Sequence, residues 1–386
     1  MPRESDDRAG AAAGRKPPKL TTALVHDYLN QRGGAERVFA RIAQAWPEAP
    51  VYTALYDERA TGDLVEAARV HTSYLARIPF SNRCFRVLAP LYPRAFEAFD
   101  FSRFDTIVSS TTAWAKGVIV PPASVHVCYV NTVSRFAFAY DEYVGRLQAA
   151  RGGKMLSLLT RPIVDRLVAW DRMAAQRPTV LVANSRNVAD RIRRYYGRES
   201  EVLHCPVDID RFTVGSGRGD YFFIASRLLP YKRVDLAIRA AQLAGVKLLV
   251  AGTGPAERSL RDLARDTTTT MLGYVDDRRM NALLGDARAA ILPGEEDFGL
   301  LPLEAAAAGR PTVAFRAGGA LETIVETKTG VFFDESVPES LAQTLRRFDP
   351  SAYDPAGLRA HAERFAPAGF VERLRAIVDR ARAERR

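Results

Sequence analysis

A chain of 386 residues with 47% hydrophobic content can build two α/β domains of ordinary size. Its formal net charge of +10 suits anionic substrates, an anionic membrane surface or nucleic acid, but no zinc-finger, basic-zipper or aromatic RNA-binding motif is present, which sets nucleic acid aside. Its three cysteines (Cys84, Cys128 and Cys205) lack metal or redox spacing, and no apolar run is long enough for a membrane span, so a reduced, cytoplasmic protein is expected.

Residues 1–19 are rich in Arg, Asp, Gly, Ala and Pro and have no apolar core segment, so they read as a disordered tail and not as a signal peptide. The first strand is expected over 22–26. It runs into Asp27, Tyr28 and the paired Gly33 and Gly34, then an amphipathic helix to about Trp46. Glycines at a strand-to-helix turn let backbone approach a ligand closely. The G-x-G-x-x-G dinucleotide fingerprint is absent, which disfavours a nicotinamide site. Further strands are expected at 51–54, 106–109, 126–130, 180–184 and 201–204, with helices over 154–177 and 185–196.

Between Arg69 and Arg103 six arginines stand against two acids, Glu97 and Asp100, interleaved with Tyr74, Phe80, Phe85, Tyr92, Phe96, Phe99 and Phe101. That pattern fits either an anionic membrane interface or a helical excursion whose aromatics are core.

The glycine-rich stretch 215–219 is the best domain boundary. The division is a tail at 1–19, a first domain at 20–214, a second at 215–366 and a terminal helix at 367–386. The second domain opens with a strand at 221–225. Arg227 and Lys232 follow it, before a helix over 234–243. Then come a strand at 247–251, a turn holding Gly254, a helix to about Asp266, and a strand ending at Gly273-Tyr274-Val275. Asp276-Asp277 reads as a helix start.

The densest segment follows a strand at 289–292. Glu296 and Glu304 stand eight positions apart, with Phe298, Gly299, Leu300 and Leu301 between them. Pro302 suits the first position of a short helix, Gly309 its C′ position, and Pro311 the stop before a strand at 312–315. The free N–H groups of Gly299 to Leu301 at that helix start favour an anion. Two carboxylates flanking an anion site suit a ligand with both hydroxyls and phosphates, such as a nucleotide sugar. The last helix, 370–385, is amphipathic.

The E-x7-E unit with its Phe-Gly-Leu, Glu-Ala and Gly-Arg-Pro companions resembles the retaining glycosyltransferases of glycosyltransferase family 4. His26-Asp27-Tyr28-Leu29, Gly33-Gly34-Ala35-Glu36-Arg37-Val38, Val108 to Thr111, Ala115-Lys116-Gly117 and Cys128-Tyr129 look most like bacterial O-antigen and exopolysaccharide mannosyltransferases. The resemblance implies an α/β fold of the GT-B type. Two Rossmann-like domains with parallel sheets would face an interdomain cleft, and a C-terminal helix would cross back to the first domain. It also implies a cytoplasmic enzyme moving a sugar, first GDP-mannose and then a UDP-sugar, to a lipid-linked or other glycan acceptor. A peripheral place at the inner face of the membrane and a small natural-product acceptor stay open, as does a binding protein without turnover.

Site roles follow from the same resemblance. Arg227 and Lys232 would clamp the diphosphate in place of a metal, so no cofactor is expected. Glu296 would contact the sugar and Glu304 the ribose. Tyr274 and Val275 would lie at the base, Gly33 and Gly34 over the diphosphate, and Gly254 beside the cleft. Asp27, Tyr28, Lys116 and Arg135 are acceptor-side candidates. Asn131 stands where relatives carry a histidine near the reacting sugar, which changes a titratable group for one that cannot titrate. His126 is expected to be structural.

Overall fold

The computed structural model describes residues 21–135 and 153–385, so the expected tail at 1–19 lies outside the described residues. Two parallel sheets form its frame. The first holds β1 (Thr22–His26), β2 (Val51–Thr53), β3 (Val70–Thr72), β4 (Thr106–Thr111), β5 (Val125–Val130), β6 (Val180–Ala183) and β7 (Glu201–Val202), in the order β3-β2-β1-β4-β5-β6-β7. The second holds β8 (Tyr221–Ala225), β9 (Lys247–Ala251), β10 (Thr269–Gly273), β11 (Ala289–Leu292), β12 (Thr312–Phe315) and β13 (Gly330–Phe333), in the order β10-β9-β8-β11-β12-β13. Each sheet therefore starts at its centre, winds outward one way, then returns to wind the other way. That is the doubly wound order of a Rossmann-like domain.

Parallel sheets must be covered on both faces, because their crossover helices lie there. β4 and β5 are buried at every position. β4 nevertheless reads Thr-Ile-Val-Ser-Ser-Thr, and its hydroxyls need partners there. Ser109 Oγ finds one in His126 Nε2 at 2.8 Å. Burial, followed by the nearby Arg177 charge, pushes the His126 imidazole down to about 3. His126 is thus a neutral core residue, as expected.

The C-terminal helix, Pro367–Glu384, crosses back to the first sheet. It buries Phe370, Leu374, Ile377, Val378 and Ala381, a stripe at helical spacing. Phe370 packs edge-on to Tyr129 of β5 with ring centroids 5.5 Å apart. Arg382 Nε donates to Thr106 Oγ1 at 2.7 Å, and Arg375 donates to the Ala45 carbonyl. One apolar cluster runs through both domains and this helix, from Leu24 and Val108 to Phe223, Leu303 and Leu374.

Three local expectations need correction. The helix after the acidic loop runs Leu300–Ala307, so Pro302 is its third residue and not its first. Nothing is lost, because the first four N–H groups of a helix have no partner within it. The strand expected at 201–204 pairs only over Glu201–Val202, since the chain then leaves for the second domain. β3 and β13 have no counterpart in the sequence reading; three- and four-residue edge strands leave too short a period to detect.

Candidate active site

The doubly wound order fixes where a ligand can sit. Neighbouring crossovers diverge where the strand order reverses, opening a crevice beyond the strand C-termini. In the first sheet that point lies between β1 and β4, and in the second between β8 and β11. Asp27 and Tyr28 directly follow β1. Arg227 follows β8 closely, and the acidic loop follows β11. Topology therefore brings Asp27, Tyr28, Arg227 and the acidic loop to the two switch-point crevices.

Glu296 and Lys232 form an ion pair, with side chains 13% and 17% exposed. Burial alone would lower the Lys232 pKa; the Glu296 carboxylate more than reverses this and holds the ammonium above its ordinary value. Arg227 is exposed and makes no ion pair among the described residues. The diphosphate clamp expected from sequence is thus one free guanidinium and one ammonium already engaged by the sugar-side carboxylate.

Glu304 sits in a narrow recess lined by Arg37, Arg41, Asp208, Arg211 and Leu300. Its nearest cation is Arg211, at 3.9 Å. Its carboxyl is raised above the ordinary 4.5, chiefly by burial, against the opposing pull of Arg37. Arg37 and Arg211 are themselves held by Asp277, at 3.0 and 2.8 Å. They are therefore not free to saturate Glu304, which keeps hydrogen-bonding capacity for a ligand.

Gly34 meets the second domain here, whereas a Cβ on Gly33 would fall 2.6 Å from Glu36 Oε2 of its own domain. A Cβ on Gly34 would fall 2.9 Å from Leu300 Cδ1, so the glycine lets the two ligand-facing turns close on each other. Gly254 serves a similar packing need inside its own domain, where a Cβ would sit 2.5 Å from the Leu228 carbonyl oxygen. Tyr274 is 72% exposed at the end of β10, available to a base, and Val275 beside it is half-buried. Of the four candidates among the seven residues between the glutamates, Gly299 caps the helix with φ +84° and Leu300 is half-buried. Phe298 and Leu301 are core, so only their backbone could face a donor.

The acceptor-side candidates divide. Asp27 is 1% exposed, and its carboxylate accepts six hydrogen bonds from residues 111–115, among them the amides of Thr112 (2.6 Å), Trp114 (2.9 Å) and Ala115 (2.6 Å). It shapes that loop and has no capacity left for an acceptor. Lys116 is not a cleft cation: it is 1% exposed and pairs with Asp171 at 2.5 Å, while Asp171 also accepts from Ser134 Oγ (2.5 Å) and Tyr196 (2.8 Å). Tyr28 does stand at the crevice. Burial and then the Asp27 charge push its phenol above the ordinary range.

Asn131 is 8% exposed, and its Nδ2 donates to Ser110 Oγ (2.9 Å) and the Thr111 carbonyl (3.2 Å). What it can still offer a substrate is its carbonyl oxygen, an acceptor. Arg135 stacks over the Tyr231 ring at 3.5 Å and pairs with Asp297 at 3.3 Å. It joins the domains across the cleft.

Asp297 was not singled out by the sequence, yet it anchors the acidic loop to the first domain. Thr132 Oγ1 donates to it at 3.1 Å, Arg191 pairs with it, and Ser185 Oγ donates to its carbonyl at 2.7 Å. Glu322 adds a second tie, accepting from the amides of Arg186 (2.8 Å) and Asn187 (3.1 Å) and contacting His204 Nε2 at 3.0 Å. Burial opposes the Glu322 charge, but these hydrogen bonds hold its carboxyl below the ordinary range. Gly318 and Gly319 complete the arrangement: side chains there would fall 2.4 Å from the Glu296 carbonyl oxygen and 2.3 Å from Phe298 Cα. The Gly-Gly pair was the one local signal for this contact; the ion pairs join residues more than 100 positions apart and leave none.

Comparison with known proteins agrees with this geometry. Residues 32–211 match the "Glycosyltransferase Family 4" model and residues 208–351 the "Glycosyl transferases group 1" model. Glycogen synthase from Mycobacterium tuberculosis is 30% identical over 241 residues, which are 57% of this chain and 57% of that protein. D-inositol 3-phosphate glycosyltransferase from Salinispora arenicola is 32% identical over 219 residues, 47% of this chain and 48% of that one. The chain thus spans about half the length of these curated relatives. Anabaena HepE in complex with UDP superposes with a TM-score of 0.65 at 18% identity, covering 93% of this chain and 100% of that one. Sucrose-phosphate synthase from Thermosynechococcus elongatus gives 0.68 at 15% identity, covering 95% and 100%. The chain therefore has the two-domain GT-B fold of these neighbours, with its first domain similar to the Glycosyltransferase Family 4 model and its second to the Glycosyl transferases group 1 model.

Proposed function

We propose that this protein transfers a hexosyl group from a nucleoside diphosphate sugar to a glycan hydroxyl, with retention at the anomeric carbon. The observation that carries the reading is the pair of carboxylates at the second domain's switch point, Glu296 against Lys232 and Glu304 in its own recess, facing Gly33-Gly34. In the reaction the bond from the anomeric carbon to the diphosphate oxygen breaks, and a bond to the acceptor oxygen forms on the same face. The acceptor proton leaves on the diphosphate. Positive charge grows on the sugar and negative charge on the leaving group, so fixed cations at the phosphates stabilise the transition state. Arg227 and Lys232 fill that role without a metal. Glu304 accepts from ribose hydroxyls, and Glu296 orients both the sugar and Lys232.

The resemblance favours GDP-mannose, whereas HepE is seen with UDP and with UDP-glucose. Incubation with a panel of UDP- and GDP-sugars separates these donors. Slow release of nucleoside diphosphate from one of them, undiminished by a chelator, is the expected result. Tight binding of a donor with no release would instead mark a binding protein, the reading that Asn131 leaves open. No binding of any donor would overturn the proposal.

A lipid-linked acceptor is part of the same reading, and the first domain offers a surface for it. Phe85, Tyr92, Phe96 and Phe101 of the arginine- and aromatic-rich segment are core, but Phe80 and Val87 are 72% and 78% exposed, with Tyr74, Ile78 and Leu91 also at the surface. Arg77, Arg83 and Arg94 lie among them, exposed, and no acid occurs between Glu66 and Glu97. Among the described residues no helix is long and apolar enough to cross a membrane, so any contact would be peripheral. Sedimentation with vesicles containing anionic phospholipid is expected at low salt, and Phe80→Asp with Val87→Asp should abolish it. Failure of the unaltered protein to sediment would remove the membrane contact from the proposal.

A further inference from the structure

The first domain holds the backbone of the acidic loop as well as its charges. The Asp297 side chain, 16% exposed, accepts from Thr132 Oγ1 at 3.1 Å and pairs with Arg135 at 3.3 Å and with Arg191. Its backbone carbonyl accepts from Ser185 Oγ at 2.7 Å. Asn187 Nδ2 donates to the Glu296 carbonyl at 3.3 Å, and the Gly319 amide donates to the same oxygen at 2.9 Å. Both carbonyls of the Glu296-Asp297 step are therefore bonded by first-domain side chains.

These contacts lead back to Asn131 by two routes. Thr132 is its neighbour in the chain. The Asn131 carbonyl also accepts from Asn184 Nδ2 at 2.8 Å, and Ser185, next to Asn184, is the residue that reaches Asp297. Asn184 and Ser185 are 4% and 0% exposed. They join β6 to the helix Arg186–Tyr196, which Ser185 caps by accepting the Val188 amide at 3.0 Å. A third contact runs to the donor clamp, because Arg135 lies 3.5 Å from the centroid of the Tyr231 ring and Tyr231 precedes Lys232.

We propose that Asp297 is a positioning residue that sets Glu296, on the second domain's wall, against Asn131 on the first domain's wall. A group at a reacting centre must be held within about 0.5 Å of its productive place, and a misplacement of about 1 Å costs about 100-fold in rate. The inference rests on the proposed glycosyl transfer. Donor affinity in that scheme belongs to Glu304 and to the phosphate cations Arg227 and Lys232, none of which pairs with Asp297 among the described residues. Losing Asp297 should therefore act on turnover and not on donor binding.

Donor-hydrolysis kinetics, nucleoside diphosphate titration and amide hydrogen exchange on the full chain test this together. Asp297→Ala should lower kcat by about 10- to 100-fold while donor KM and nucleotide affinity stay within about threefold. Asp297→Asn, which keeps an acceptor for Thr132 but not the charge, should lose less. Exchange over residues 294–301 should quicken in Asp297→Ala, with β8 and β9 unaltered. Thr132→Val removes one of these hydrogen bonds at nearly constant shape; it should shift kcat the same way by less, and it carries the test should Asp297→Ala not fold. Unchanged kcat in a folded Asp297→Ala protein, or kcat and nucleotide affinity falling together, overturns the proposal. If the unaltered protein releases nucleoside diphosphate from no donor, the glycosyl-transfer reading fails instead, and unchanged exchange over 294–301 in Asp297→Ala would then overturn the positioning role on its own.

Discussion

Glu304→Ala is expected to weaken nucleoside diphosphate binding by about 10- to 100-fold and to leave the fold intact. The magnitude follows from losing hydrogen bonds to a charged acceptor, worth about 1.5–3 kcal/mol each, with every 1.4 kcal/mol a factor of ten. The fold should survive because Glu304 has no close partner to strand: Arg37 and Arg211 stay paired with Asp277. The same residue sets a pH dependence. Its carboxyl is raised above 4.5 in the free protein, mainly by burial. Ribose hydroxyls donate to the ionised form, so bound ligand favours ionisation. Affinity should therefore rise with pH through the raised free-protein value, and fall on acidification from a point above 4.5. For stability the sign is opposite. Between the ordinary and the raised value the native state holds the extra proton, so stability falls as pH rises through that window. Fluorescence or calorimetric titration of UDP and GDP from pH 4 to 8 checks the affinity, and thermal melts of the free protein over the same range check the stability. Equal affinity of the Glu304→Ala variant and the unaltered protein would remove Glu304 from the ribose site.

Lys232→Ala should lower turnover by about 100- to 1,000-fold, the usual scale for losing one fixed group that stabilises transition-state charge. Its interpretation needs a control, because Lys232 pairs with Glu296 and both are mostly buried. Removing one partner of a buried pair leaves an uncompensated charge, and that costs on the order of 3–5 kcal/mol. The double variant Lys232→Ala with Glu296→Gln removes both charges and should regain stability without regaining turnover. Thermal melts and donor-hydrolysis rates on the three proteins make the distinction. Turnover that recovers along with stability would show that Lys232 serves only to neutralise the Glu296 charge, and would remove both groups from the proposed donor chemistry.

Local pattern was enough for the framework of this site. The unit β11, acidic loop, Leu300–Ala307 helix and β12 is written in consecutive residues: an apolar run, two carboxylates, a glycine at each end of the helix, and a closing proline. The β1 turn with Gly33 and Gly34 is legible for the same reason. Those features depend on backbone conformation and periodicity, which act over a few residues. The alternation of strands and helices likewise implied parallel sheets, and the doubly wound order then places the loops after β1, β8 and β11 at the two crevices.

Roles set by distant partners were not legible in this way. Asp27 and Lys116 both looked like polar cleft residues. One is saturated by a loop some 85 positions away, and the other is neutralised by Asp171, 55 positions on. Asp297 looked like one more acid in an acidic run, yet Thr132, Arg135 and Arg191 make it one of the ties between domains. Whether a charge is free, paired or consumed depends on which other charge folding brings within a few ångströms, and sequence separation carries no trace of that. The sequence by itself therefore determined the parallel α/β framework and the loop and helix that carry Glu296 and Glu304. Only the tertiary structure decided that, among the described residues, Arg227 makes no ion pair while Lys116 is paired with Asp171, because pairing depends on which charges folding brings together.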